Sequence, residues 1–74
     1  MDKVRVYYDA IAKTLTVWLA DPETEEVCEE AHDDTVFMKN AKGQIIGFEK
    51  LNFNLPPGIS GITVEVMNAP TSAA

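Results

Sequence analysis

The stretch Lys3-Val4-Arg5-Val6-Tyr7-Tyr8-Asp9-Ala10-Ile11-Ala12-Lys13-Thr14-Leu15-Thr16-Val17-Trp18-Leu19 decides the fold. Val4, Val6 and Tyr8 alternate with Lys3, Arg5 and Tyr7, and Leu15, Val17 and Leu19 alternate with Thr14, Thr16 and Trp18. Period two is the repeat of a half-buried strand, and β-branched and aromatic side chains favour that conformation. The connection from Asp9 to Lys13 is too short for the crossover that parallel strands need, so 3–8 and 14–19 pair as an antiparallel hairpin. Tyr7 and Trp18 fall on the face opposite Val4, Val6, Leu15 and Val17, where contact across the pair gives the second side apolar character as well.

Outward from this hairpin, Thr35 to Lys39 reads as a short strand and Asn40-Ala41-Lys42-Gly43 as a turn in which Gly43 supplies a positive φ. The returning strand covers 44–53. Within it Ile46 and Phe48 share one parity and Leu51 and Phe53 the other, which predicts a bulge at Gly47 or at Glu49-Lys50. Asn54-Leu55-Pro56-Pro57-Gly58 lacks ladder donors at both prolines and reads as a turn or crossing loop. Ile62, Val64 and Val66 alternate with Thr63, Glu65 and Met67 as a final strand, and 68–74 frays.

Asp21 to Asp34 holds eight of the twelve acids, Asp21, Glu23, Glu25, Glu26, Glu29, Glu30, Asp33 and Asp34, with no Lys or Arg among them. Asp21 as N-cap and Pro22 at the first helical position suggest a short helix within 22–32, while Val27, Glu29 and Ala31 on alternate positions suit an edge strand. A helix would bury little beyond Val27, Cys28 and Ala31, and its like charges would repel at neighbouring turns. The extended reading is preferred, since a charged edge discourages edge-to-edge association. The fold class expected is therefore mainly β: a small antiparallel β-meander of about five short strands, with α+β as the alternative.

The chain has 74 residues, which fits a single domain over 1–74 with a marginal core. Oligomerisation is a natural remedy for so little buried surface. Hydrophobic residues make up 46% and charged residues 24%, a globular balance and not a disordered one. No long apolar run or signal-like opening is present, and the lone Cys28 cannot close an internal disulfide; a soluble protein of the cytoplasm is expected. A net charge of −6 opposes binding to nucleic acid and to anionic membranes.

Four segments, Val4-Arg5-Val6-Tyr7-Tyr8-Asp9, Thr14-Leu15-Thr16-Val17-Trp18-Leu19, Glu23-Thr24-Glu25-Glu26-Val27 and Gly43-Gln44-Ile45-Ile46-Gly47-Phe48-Glu49, stand in the order and spacing of a known pattern. Together they resemble the DUF2283 (YuzE-like) family of small bacterial and archaeal proteins of unknown function, over about residues 3–51. The resemblance implies a fold and a bacterial or archaeal source, and no catalytic residues. A few relatives resemble partners in toxin and antitoxin pairs, which implies a binding role of antitoxin-like or regulatory type. Two departures stand out: Lys39, Asn40, Ala41 and Lys42 occupy a turn that is usually acidic in the family, and the chain continues past Leu51 through Pro56-Pro57.

Candidate chemistry is sparse. Cys28 and His32 lie four apart and would share a helix face, with Glu25 or Glu29 completing a metal shell; yet structural zinc sites draw on several Cys and His, and there is one of each. As a nucleophile, Cys28 is disfavoured by surrounding carboxylates that raise a thiol pKa. Ser60 and Ser72 have no nearby His, and Glu29-Glu30 and Asp33-Asp34 in so dense a run read as a solvated face. Gly58-Ile59-Ser60-Gly61 lacks the Lys of a phosphate loop. Tyr7, Tyr8 and Trp18 suit a core or an interface better than a ligand shelf.

Two functional classes remain at this level. One is a non-catalytic binding or oligomerisation module, a homodimer that also meets a basic partner protein, with Glu25, Glu26, Glu29, Glu30, Tyr7 and Trp18 as contact residues and no cofactor or metal. The other is a small metal-binding protein or enzyme built on Cys28, His32 and nearby carboxylates.

Overall fold

A computed structural model describes residues 3–68 and 70. Five antiparallel strands form one open sheet: β1 (Arg5–Asp9), β2 (Thr14–Trp18), β3 (Val27–Glu30), β4 (Thr35–Lys39) and β5 (Ile45–Lys50). Their spatial order is β1-β2-β5-β4-β3. Both expected hairpins are present, and so is the charged edge strand. The sheet is a meander except at one joint, where the chain leaves β2 beside the middle strand and starts β3 at the far edge.

That joint crosses one end of the sheet. Leu19 and Ala20 both donate backbone N–H to the Ile46 carbonyl, at 2.8 and 3.2 Å, and Glu26 donates to the Lys39 carbonyl at 2.8 Å. Between these anchors Pro22–Thr24 forms a single 3-10 turn, with the Asp21 side chain accepting from Glu23 N–H. The capping signal at Asp21-Pro22 is thus real but stops after one turn, because no apolar stripe follows to hold a longer helix.

The turns follow from side chains that stabilise left-handed backbone. Asp9 Oδ1 accepts from the N–H groups of Ile11 and Ala12, both at 2.9 Å, and Lys13 then takes φ 59°. Asn40 Oδ1 accepts from Lys42 and Gln44, both at 3.0 Å, and Gly43 has φ 76° as its position requires. Between β3 and β4, Asp33 and Asp34 both adopt positive φ, 58° and 56°, a pair that matches the twist of a tight hairpin.

Register assigns the faces. Val6, Tyr8, Leu15, Val17, Phe37 and Phe48 share one, and Tyr7, Thr16, Trp18, Met38, Gly47 and Glu49 the other. At Gly47, opposite Trp18, an added Cβ would lie 2.8 Å from Trp18 Cε3, 2.8 Å from the Val17 carbonyl oxygen and 3.2 Å from Met38 Cε. The indole lies across the backbone of β5, a close approach that glycine alone permits. Among the described residues, Met38 at 5% exposure and Ile46 at 4% are the hydrophobic side chains that reach full burial.

Two expectations are corrected. The bulge lies at the start of β5, where Met38 pairs with Gly47 and Lys39 with Ile45, so that Ile46 is the inserted residue. Pairing is regular from Gly47 to Lys50; the later parity switch arises because β5 ends there and Asn52, at φ 54°, turns the chain onto the sheet face. Phe53 then stacks edge-on against Tyr8, with centroids 6.1 Å apart. The Tyr8 hydroxyl donates to the Phe53 carbonyl at 3.0 Å and accepts from Leu55 N–H at 3.4 Å.

The expected final strand is absent: residues 61–67 form no ladder, and Ile62, Val64 and Val66 are 43%, 68% and 80% exposed. Alternation becomes a strand only where the backbone pairs with a sheet edge, and this segment makes no such pairing. The expected frayed tail lies outside the described residues apart from Asn68 and Pro70.

Gly47→Ala should lower unfolding free energy by about 1–3 kcal/mol, because the Val17 carbonyl contact is backbone and no rotamer relieves it. A urea melt measures this; a melt unchanged from wild type would refute the close approach.

Candidate functional site

The acidic run folds into three pieces with different surroundings. In the first, Asp21 caps the 3-10 turn and Glu25 closes it. Glu25 also accepts a hydrogen bond from the Cys28 thiol. That bond is the largest cause of a Cys28 pKa above the ordinary thiol value, followed by local desolvation and the negative charges of Glu25 and Glu49.

The second piece is β3, every residue of which is exposed. Glu29 and Glu30 are neighbours in an extended strand and point to opposite faces, so they do not form an acid-base pair. Glu29 is bound by Lys39 of β4 at 2.7 Å. Both ends of this ion pair are partly exposed, which limits its worth to about 1 kcal/mol or less. Glu26 and Glu30 are exposed and accept no side-chain hydrogen bond among the described residues. Glu26, Glu29 and Lys39 border a shallow cleft that ends at the Asn40–Gly43 turn.

The third piece is the β3–β4 turn. Asp33 and Asp34 build its left-handed backbone, and Lys50 of β5 reaches back to the Asp33 carbonyl and the Thr35 hydroxyl. Asp34 also accepts from Asn52 Nδ2 at 3.2 Å. His32 sits exposed at this turn, past the end of an extended strand that begins one residue before Cys28. The helix face that would have united Cys28 and His32 does not form, and the described residues contain no cluster of three or more His, Cys, Asp or Glu arranged to hold a metal.

The aromatic residues separate by face. Tyr7 is 52% exposed, beside half-buried Trp18 on the same side of the β1–β2 pair. Tyr8 is on the opposite side, where Val6, Tyr8, Leu55, Ile59 and Ile62 line an open groove of about 420 Å³ with no carboxylate, amine, imidazole or thiol on its walls. Ser60 borders that groove and is exposed, whereas Ser72 lies outside the described residues.

A family model described as "Protein of unknown function (DUF2283)" matches residues 5–54. The chain belongs to the DUF2283 family. The match takes in all five strands and ends before Pro56-Pro57, so the exposed segment after the sheet is not covered. No curated protein and no solved structure matches the chain at a significant level. Among the described residues, no helix is long and apolar enough to cross a membrane.

Sequence reasoning singled out the acids and the aromatics but not the cations that answer them. Lys39 was legible only as part of a non-acidic turn, because its partnership with Glu29 depends on the β3–β4 register. Arg5 and Asp9, at the two ends of edge strand β1, carried no signal until β1 was known to lie at the edge.

Since the Cys28 pKa is raised, its thiolate fraction at mildly alkaline pH falls below that of a free thiol. Alkylation by iodoacetamide should therefore be slower than for the unfolded chain, with its pH midpoint displaced upward. Glu25→Ala should bring the midpoint down; a wild-type midpoint at or below that of free cysteine would contradict the assignment.

Proposed function

We propose that this DUF2283 chain is a non-catalytic, single-domain association module that self-assembles as a dimer and presents its acidic edge to a cationic protein, in an antitoxin-like or regulatory role. One observation carries the reading: a single-layer sheet leaves apolar side chains in water on both sides. Val4, Tyr7, Leu19, Val27 and Ile45 are 58%, 52%, 47%, 49% and 47% exposed, against two buried hydrophobic residues among those described. A small domain gains stability by covering such surface with a partner.

The acidic edge supports the second half of the proposal. Glu26 and Glu30 are exposed, and the net charge of −6 steers cationic proteins toward the chain while repelling nucleic acid. Tyr7 belongs to the self-association surface, where a rigid aromatic adds contact area at little entropic cost. Trp18 contributes from the same side, although much of its ring is committed to Gly47. A reducing cytoplasm suits the unpaired thiol of Cys28.

Replacing Glu25, Glu26, Glu29 and Glu30 together by Gln should retain the sheet. Repulsion is relieved while the Glu29–Lys39 pair is lost, and the net stability change stays within about 1 kcal/mol. Retention on immobilised polylysine should fall, and its salt dependence should flatten. A variant that unfolds, or that binds polylysine as wild type does, would overturn the assignment of the edge.

A further inference from the structure

The two edges of the sheet are chemically unlike. β3 carries Glu29 and Glu30, follows Glu25 and Glu26, and would set carboxylates against carboxylates if it paired with itself. β1, Arg5-Val6-Tyr7-Tyr8-Asp9, has one charge of each sign at its ends and neither proline nor bulge between them. Apart from its ladder with β2 and the Lys13 bond to the Asp9 carbonyl, its backbone makes no hydrogen bond among the described residues.

We propose that β1 pairs antiparallel with β1 of a second copy about a two-fold axis at Tyr7, joining two five-stranded sheets edge to edge. The proposal rests on the self-association reading and places the contact at an edge, where pairing extends the layer and leaves most of its apolar faces open. Charge complementarity selects the occupant and the register. In this register Arg5 faces Asp9 of the second copy, Val6 faces Tyr8, and Tyr7 faces Tyr7, with every β1 residue paired. A two-fold axis normal to the sheet keeps like faces together, so the other registers centre on Arg5, Val6, Tyr8 or Asp9. Centring on Arg5 or Asp9 opposes like charges, and centring on Val6 or Tyr8 pairs fewer β1 residues with one another and sets no carboxylate opposite Arg5.

Both charges are available. Among the described residues the Lys39–Glu29 bridge is the only ion pair, so Arg5 has no carboxylate partner there, and Asp9 uses Oδ1 for both turn hydrogen bonds while its Oδ2 accepts none from them. The exposed Tyr7 ring lies at the axis, between the two charge pairs. A closed isologous contact of this kind uses up the one edge free of carboxylate repulsion and leaves the acidic edges outermost.

Light scattering of wild type and of Arg5→Glu, with circular dichroism to verify the sheet, tests the charge pairs. Tyr7→Cys in a Cys28→Ser background tests the register, because opposed residues have Cβ atoms about 4.5–5.5 Å apart, near disulfide reach. The expected results are a wild-type dimer at micromolar concentration, dissociation raised at least about tenfold by Arg5→Glu, and rapid oxidation of the Tyr7→Cys variant to a covalent dimer. Glu30→Cys in the same background should stay uncrosslinked. A wild-type dimer that tolerates Arg5→Glu and does not crosslink at position 7 would overturn the β1 assignment while sparing self-association. A wild-type monomer would overturn both, and assemblies that grow without limit would overturn the closed two-fold arrangement.

Discussion

The sheet depends on the seam where β2 meets β5. Its two strands are far apart in sequence, and theirs is the strand ladder that unites the β1–β2 hairpin with the β3–β4–β5 meander. At one end of its ladder Trp18 is paired with Gly47, and the missing Cβ lets the indole rest on the strand beside Met38. Thr16 on β2 donates its hydroxyl to the Glu49 carboxylate across the same seam at 3.0 Å. A two-stranded hairpin is marginal in water, and each half needs the other to bury any apolar surface.

From that seam the burial pattern follows. Ile46 and Met38, the buried hydrophobic side chains among the described residues, lie in or beside the central strand, and exposure increases toward both edges. Phe53 and Leu55 return over the β1–β2 half and tie down through Tyr8, but no second layer of strands or helices covers either face among the described residues. Thin cores of this kind hold their shape by cooperation along the sheet, because so small a domain buries only a modest share of its surface.

Strand positions were legible because period two survives in Val4–Tyr8, Thr14–Leu19 and Thr35–Lys39 whatever the neighbours are. Neighbour order was not: alternation records which side of a strand is apolar and says nothing about what lies beside it. The readable hint was Gly47 inside an apolar strand, which fits a large side chain resting on it. Asp33-Asp34 reads in the sequence as surface charge, whereas its backbone role dominates, since Asp tolerates left-handed φ more readily than most residues. Ile62, Val64 and Val66 show the converse failure, a strand pattern in a segment that joins no ladder. The contact residues divide similarly: exposure of Glu26, Glu30 and Tyr7 was legible, while the engagement of Glu25 with Cys28, Glu29 with Lys39 and Trp18 with Gly47 required the fold.

Native-state hydrogen exchange tests the seam most directly. If β2 and β5 hold the sheet together, the protected amides of Val17, Trp18, Gly47 and Phe48 exchange slowest and at a common opening free energy, and no slower unit exists in either half. Amides of the β3–β4 hairpin that outlast those of the seam, or two halves that open independently with different free energies, would contradict the account.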